Sequence, residues 1–145
     1  MTDHEKYMQQ ALLEAQTALS KNEVPIGVVI VSNNRVIARG HNQTQTLNDV
    51  TAHAEMIAIT SASDFMESKY LKDCTIYITL EPCVMCAGAL AWSQIPNIVF
   101  GAYDKKKGYS TFCPEIFHSK INIIGGVLQD ACSQILTDFF KNKRF

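Results

Sequence analysis

Two short motifs in this 145-residue chain combine residue types that bind transition metals. The first is His53-Ala54-Glu55 and the second is Pro82-Cys83-Val84-Met85-Cys86. Together they offer one imidazole and two thiols as ligands, and one carboxylate that is poorly placed to be a fourth. A structural zinc site is closed by four Cys or His ligands, whereas a catalytic site keeps one position open for water. The pattern therefore predicts a hydrolytic zinc site.

The spacing of the two cysteines suits the start of a helix. Residues three apart lie on the same helix face, so Cys83 and Cys86 share a face if Pro82 opens a helix. A helix N-terminus carries about half a positive charge, which favours thiolates and hence metal binding.

His53 and Glu55 need a helix start for a different reason. Residues two apart do not face each other inside a helix. They converge only in the first turn, where side chains lean back past the N-terminal end. Thr51 is a suitable N-cap for such a helix. We therefore predict that two helix N-termini point at one zinc ion.

Each motif has a simpler interpretation when it is considered alone. Cys-x-x-Cys at a helix start also occurs as a thioredoxin-like redox pair or a disulfide. A single histidine such as His53 is often a buried side chain with its hydrogen bonds satisfied, and Glu55 alone would be a solvated helix residue. The combination of both motifs favours the metal site over these alternatives.

Composition indicates one globular domain over residues 1–145, long enough to bury a substantial core. The longest strongly aliphatic run, residues 28–31, is too short to cross a bilayer, and residues 1–6 do not resemble a signal peptide. Five cysteines, an odd number, suit a reducing compartment better than a disulfide framework. We expect a cytoplasmic protein without membrane contact.

The charge distribution leaves the partner open. A net charge of −1 argues against a strongly nucleic-acid-binding protein. Positive charge is local, in Lys105-Lys106-Lys107 and in Lys141, Lys143 and Arg144 near the C-terminus. Each group is either a solvated surface or a site for phosphates.

Hydrophobic periodicity predicts alternating helices and strands. Predicted helices cover residues 5–20, with Asp3 as a possible cap, 52–63, 82–92 and a last helix with apolar positions from 128 to 140. Predicted strands cover residues 26–31, 35–39, 75–80, 98–100 and 121–124, and the first two form an antiparallel hairpin across Asn33-Asn34. This order predicts an α/β fold, a three-layer α/β/α sandwich around a mixed five-stranded sheet.

The order of elements and the two motifs resemble the cytidine-deaminase-like superfamily, for which these motifs are the recognised signature. Longer segments are similar to the branch formed by the bacterial tRNA-specific adenosine deaminases, and the resemblance runs from about residue 23 to residue 140. The segments that carry it are residues 23–27, 51–55, 80–89, 99–102 and 138–140.

The resemblance implies roles for particular residues. His53, Cys83 and Cys86 would hold one zinc ion per chain, and Glu55 would shuttle protons. Asn42 would contact the target nucleoside, and Asp104 would face the substrate nucleotide. Without the resemblance, Asn42 and Asp104 would be turn residues in polar loops.

The implied activity is zinc-dependent hydrolytic deamination of adenosine to inosine at the wobble position of tRNA anticodons. The implied partners are a tRNA anticodon stem-loop and a second copy of the chain in a homodimer. The alternative is a deaminase of a free nucleobase or nucleoside such as guanine or cytosine, because the site chemistry is shared. A zinc-stabilised interaction or redox protein is a third hypothesis, under which Glu55 would be dispensable.

The chain also departs from the pattern of these relatives. Val50 follows Asp49 where relatives commonly have proline, which predicts a looser turn before His53. Tyr103 stands where many relatives have arginine. Of the aromatic residues near the tail, Phe140 and Phe145 are the ones that we expect could touch a ligand.

Overall fold

The helices and strands follow the predicted order, with one short helix added between the last two strands. The computed structural model describes residues 1–143, so Arg144 and Phe145 lie outside the described residues. The elements are α1 (Asp3–Ser20), β1 (Gly27–Ser32), β2 (Arg35–His41), α2 (Ala54–Met66), β3 (Cys74–Leu80), α3 (Val84–Ser93), β4 (Asn97–Ala102), α4 (Tyr109–Phe112), β5 (Asn122–Ile124) and α5 (Gln129–Asn142).

Helix α1 starts earlier than its apolar pattern predicts. Its N-cap is Thr2, not Asp3, because the Thr2 hydroxyl accepts from the Glu5 N–H while the Glu5 carboxylate accepts from the Thr2 N–H. This reciprocal pair is a capping box, which satisfies two backbone donors at once. Within residues 1–143, no helix has the length and apolar character needed to cross a bilayer.

The five strands form one mixed sheet in the order β2-β1-β3-β4-β5, which confirms the predicted sheet. Strand β1 pairs antiparallel with both β2 and β3, whereas β3–β4 and β4–β5 are parallel. Asn33 and Asn34 both have positive φ, 52° and 60°, as a two-residue hairpin turn between twisted strands requires. Helix α3 connects the parallel strands β3 and β4.

Alternate residues of the central strands point into two separate apolar clusters. Val28 and Ile30 pack in one cluster with Ala54 and Ala58 of α2. Val29 packs in the other cluster, which includes Met8 of α1 and Cys132 of α5. Since successive side chains of a strand point to opposite faces, helices cover both faces of the sheet. This arrangement is the predicted three-layer sandwich.

Gly40 of β2 allows the first turn of α2 to lie directly on the sheet. A Cβ atom at Gly40 would lie 2.5 Å from the Ala54 carbonyl oxygen, far inside normal contact. Ala54 is the first residue of α2 and follows His53. The close approach of backbone at Gly40 therefore determines the height of the α2 N-terminus above the sheet.

Candidate active site

Helices α2 and α3 each begin at a metal-ligand residue, and they pack against each other. His53 is the N-cap of α2 and Cys83 is the N-cap of α3, both with extended backbone. Neither side chain caps its own helix, so both are directed elsewhere. Cys86 follows in the first turn of α3 and is fully buried. The prediction that two helix N-termini meet at this group is confirmed.

The starting residues of both helices differ from those predicted. Helix α2 begins at Ala54 and α3 at Val84, each two residues later than expected, so Pro82 does not open α3. Thr51 is not the N-cap of α2, because its N–H and hydroxyl both donate to Asp49 Oδ1, at 2.8 and 2.7 Å. These bonds close the turn before His53. That the turn is looser than it is in relatives with proline at position 50 stays a prediction.

The ligand atoms have the spacing of a zinc site. His53 Nδ1 lies 3.7 Å from Cys83 Sγ and 3.5 Å from Cys86 Sγ, and the three ligand atoms all lie within 4.8 Å of one another. Tetrahedral zinc with its usual bond lengths to sulfur and nitrogen separates such atoms by about 3.6 Å. The donor set is also that of zinc, because imidazole and thiolate are its preferred ligands. The three residues therefore fit a zinc ion.

Protons in this group are shared unevenly between the two thiols. Hydrogen bonds from Cys86 and His53 lower the pKa of Cys83 to about 4. The same contact with Cys83, together with burial, raises the pKa of Cys86. The bond to Cys83 also raises the pKa of His53. A bound cation favours deprotonation of both thiols and neutral imidazole, so this group can exchange its protons for a metal ion.

Glu55 lies beside the ligand group in the first turn of α2. Its side chain is 4% exposed, and burial raises the pKa of Glu55 to about 7. The thiol of Cys83 and the imidazole of His53 are close enough to influence its charge. The carboxylate therefore sits in a largely dry position next to the candidate metal site, as an acid/base group would.

Asn42 and Asp104 are not part of the group formed by His53, Cys83 and Cys86. Asn42 is buried just after β2, where its Oδ1 accepts from Thr44 N–H at 3.4 Å. Asp104 Oδ1 accepts from the N–H groups of Lys106 and Lys107, at 3.1 and 3.0 Å. Both side chains thus act as turn residues in their own loops. Their contact with substrate stays a prediction.

Comparisons with known proteins place the chain in a family. A family model described as MafB19-like deaminase matches residues 2–144. The chain is 42% identical over 149 residues to the tRNA-specific adenosine deaminase of Bacillus subtilis (strain 168), covering 99% of this chain and 92% of the relative. The chain belongs to the MafB19-like deaminases, in the group of tRNA-specific adenosine deaminases.

Solved structures agree with this assignment. One comes from a study of A-to-I editing by tRNA:A34 deaminases at the wobble position of transfer RNA. It matches with a TM-score of 0.84 and 39% identity, over 90% of this chain and 99% of that chain. A guanine deaminase from Bacillus subtilis matches less completely, with a TM-score of 0.67 and 36% identity over 71% of this chain and 66% of that one. Deaminases are hydrolytic enzymes, so the predicted enzyme class is confirmed.

Two buried glutamates beside the site of this deaminase have contacts that sequence reasoning did not predict. Glu23 is 1% exposed and binds the loop of residues 42–53, here called the His53 loop. Glu81 is 4% exposed and binds residues 103–110, here called the Asp104 loop. The sequence offered one signal for these contacts. Each glutamate lies close to an apolar strand, and a carboxylate that is buried there needs hydrogen-bond partners.

A basic cleft of about 640 Å³ lies between the Asp104 loop and α5. Its lining includes Lys105, Lys106, Lys107, Gln129, Leu136 and Phe140. Phe140 is 50% exposed, so its ring is available to a ligand. Tyr103 also lines the cleft and packs edge-on against Phe100.

Proposed function

We propose that this chain deaminates adenosine to inosine at the wobble position of a tRNA anticodon, within a single domain spanning residues 1–145. The main support for this proposal is that His53, Cys83 and Cys86 converge at two helix N-termini, with buried Glu55 beside them. These three residues would hold one zinc ion per chain. When bound, zinc supplies a water activated for attack near neutral pH.

Glu55 performs the proton transfers of this reaction. Its carboxylate takes a proton from the attacking water and delivers it to N1 of adenine as the C6–O bond forms. It then takes the remaining proton of that water from the C6 hydroxyl and transfers it to the amino group, and the C6–N bond breaks to release ammonia. One water enters and one ammonia leaves, so Glu55 returns to its starting state.

Loops on both sides of the ligand group would contact the nucleotide. We assign Asn42 to the target nucleoside and Asp104 to the substrate nucleotide, following the family resemblance. The Asp104 loop includes Lys105, Lys106 and Lys107, which line the basic cleft. Lysines at the mouth of a cleft would bind phosphates of the anticodon loop. Bases in such loops are already unstacked, which lowers the cost of entering the site.

The substrate test compares an anticodon stem-loop with small molecules. A stem-loop with adenosine at the wobble position is incubated with the zinc-loaded chain, and inosine and ammonia are measured. A stem-loop with the adenosine moved to a paired stem position is the control. Free guanine, cytosine and adenosine are tested at the same concentration. Turnover of the wobble adenosine alone supports the proposal, whereas efficient guanine or cytosine turnover with an inert stem-loop overturns it.

A homodimer is part of this proposal. Ile59 of α2 and Ala89 and Trp92 of α3 line an outward-facing cavity together with Tyr70, and Trp92 is 84% exposed. Clustered exposed apolar side chains commonly mark an interface. We expect light scattering to give twice the 16.2 kDa mass of one chain, and a Trp92→Glu variant to give the mass of a monomer. A wild-type mass of one chain would contradict the dimer.

A cytoplasmic location fits the same proposal, because tRNA is modified where it is used. All five cysteines are free thiols, as the reducing conditions of that compartment require.

A further inference from the structure

Most of the backbone N–H groups in the His53 loop donate to carbonyl groups, but two in its middle donate to a buried carboxylate. Glu23 Oε1 accepts from Gln45 N–H at 3.1 Å. Glu23 Oε2 accepts from the N–H and the hydroxyl of Thr46, at 2.6 and 2.7 Å. These donors lie between Asn42 at the start of the loop and His53 at its end. The contacts with Glu23 therefore fix the middle of a segment whose two ends carry proposed site residues.

The Asp104 loop is held in the same manner from the other side. Glu81 Oε1 accepts from Asp104 N–H at 3.1 Å. Glu81 Oε2 accepts from the N–H and the hydroxyl of Ser110, at 3.1 and 2.6 Å. Each carboxylate thus receives two backbone N–H groups and one hydroxyl, which is an unusually similar arrangement for two separate loops.

The Glu81 contacts connect the Asp104 loop to the metal-ligand segment. Glu81 immediately precedes Pro82 and Cys83, and Pro82 O accepts from Tyr109 N–H at 2.9 Å. Cys83 also forms a backbone bridge with Gly108. A Cβ atom at Gly108 would lie 2.4 Å from the backbone carbonyl oxygen of Asp104 and 2.4 Å from the carboxylate carbon of Glu81, so glycine is needed for this approach. A shift of the loop would therefore be coupled to the position of Cys83.

We propose that Glu23 and Glu81 are paired positioning residues, each presetting one of the two loops that place the RNA substrate against the catalytic group. Neither carboxylate touches the metal ligands through its hydrogen bonds, so neither is a catalytic residue. A carboxylate suits the task because it is acceptor-only and can bind several donors of one loop at once. Preset loops lower the ordering cost when substrate binds, which strengthens binding more than it accelerates chemistry. This inference rests on the proposed function for the identity of the substrate.

The test uses Glu23→Gln and Glu81→Gln in the zinc-loaded chain. Glutamine keeps the side-chain shape but replaces one acceptor oxygen with a donor, so one backbone N–H of each loop loses its acceptor. Glu115→Gln, at an exposed residue, makes the same charge change and is the control. We expect each buried variant to keep its zinc and to raise KM for the stem-loop by about tenfold, the cost of one charged hydrogen bond. We expect kcat to change less than about threefold.

Amide hydrogen exchange provides a second measurement that does not depend on activity. In Glu81→Gln the amides of Asp104 and Ser110 should lose protection while those of Gln45 and Thr46 keep it. In Glu23→Gln the pattern should be reversed, so each variant is the control for the other. A uniform loss of protection across the chain would indicate general destabilisation and would overturn the proposal.

The two measurements separate failure of this inference from failure of the proposed function. An inert stem-loop with wild-type protein defeats the proposed function, and the exchange pattern then still decides whether the carboxylates hold the loops. If each variant loses amide protection only in its own loop but KM is unchanged in both, the carboxylates hold the loops without positioning substrate. That result overturns the proposal. A fall in kcat that follows the folded fraction, at constant KM, overturns it as well.

Discussion

At the scale of single residues, the site depends on side chains that occupy helix N-cap positions without capping the helix. His53 and Cys83 occupy N-cap positions but do not cap their helices, which leaves Nδ1 and Sγ free to face each other at 3.7 Å. Helix N-termini stabilise the thiolates, because their backbone dipoles are positive there. The usual N-cap residues, Ser, Thr, Asp and Asn, stabilise a helix by accepting hydrogen bonds from its first N–H groups. Because His53 and Cys83 do not make these bonds, the site lowers the stability of both helices.

The metal assignment predicts that each cysteine of the group is needed for zinc. We expect Cys83→Ser and Cys86→Ser to lose most of their zinc, because serine supplies no thiolate and the remaining two protein ligands cannot fill the site. Metal analysis after dialysis measures this directly. Cys113→Ser is the matched control, since Cys113 is a half-buried free thiol outside the ligand group. Full zinc occupancy in both ligand variants would refute the assignment.

Glu55 is expected to be needed for chemistry and not for metal binding. Glu55→Gln removes the proton carrier but keeps the volume of a side chain that is 4% exposed. We expect a loss of about 10²–10⁴-fold in kcat, the contribution of one general acid/base, with unchanged zinc content. Single-turnover kinetics on the stem-loop provides the measurement. A loss smaller than tenfold would assign the proton transfers to another group.

At the scale of elements, the position of α2 on the sheet determines where His53 stands. Gly40 provides the contact surface, and the backbone of α2 occupies the space that a side chain would need. Helix α3 is placed by another route, because it follows β3 through the short segment from Glu81 to Cys83. The two ligand-bearing helix starts are therefore positioned in different ways, one by packing on the sheet and one by chain connection, and the two helices also pack against each other.

The packing of α2 predicts a specific effect of Gly40→Ala. The added Cβ would meet the Ala54 carbonyl oxygen at 2.5 Å, so α2 must move away from β2 and carry His53 with it. We expect a loss of about 1–3 kcal/mol in unfolding free energy, as for other overpacked sites, and weaker zinc binding in a chelator competition.

Gly88→Ala provides the control for this prediction. A Cβ atom at Gly88 in α3 would meet no atom within 4 Å. Alanine there should stabilise α3 by up to about 1 kcal/mol, because glycine is a poor helix former. Zinc affinity should not change. Equal effects of the two substitutions on zinc binding would show that the height of α2 does not determine the site.

At the scale of the whole molecule, charge is distributed unevenly even though its sum is near zero. The net charge is −1, yet Lys105, Lys106 and Lys107 lie together at a cleft beside the candidate site. Phosphates of an RNA would be attracted to this part of the surface, whereas a free base carries none. The lysines of this cleft would thus attract a polynucleotide more strongly than a free base.

This distribution predicts a salt dependence that is specific to RNA. Each lysine–phosphate contact to a single strand contributes about 0.7 to the slope of log binding constant against log salt. We expect Lys106→Ala to reduce that slope by about this amount for the stem-loop. Its backbone N–H can still donate to Asp104. Lys120→Ala, at an exposed residue away from the cleft, should leave the slope unchanged. An unchanged slope in Lys106→Ala would remove this lysine from the RNA-binding surface.

The sequence by itself determined the ligand set, the order of the elements and the family, because each is written in local spacing. Cys-x-x-Cys places two thiols on one helix turn, and the continuous apolar run of β1 indicates a strand that is covered on both faces. Such patterns depend only on neighbours along the chain, so they can be recognised before the chain is folded.

Only the tertiary structure decided which residues hold the site in place. Glu23 meets Thr46 across 23 positions of the chain, and Glu81 meets Ser110 across 29. No local pattern marks such pairs, because a buried carboxylate and a loop N–H find each other only after the sheet has assembled. The start of α2 was missed for a local reason, because Thr51 donates its N–H and its hydroxyl to Asp49 and does not cap the helix. At the starts of both α2 and α3, the metal-ligand side chains face each other and do not cap their helices. Local propensity alone therefore misplaced both helix starts by two residues.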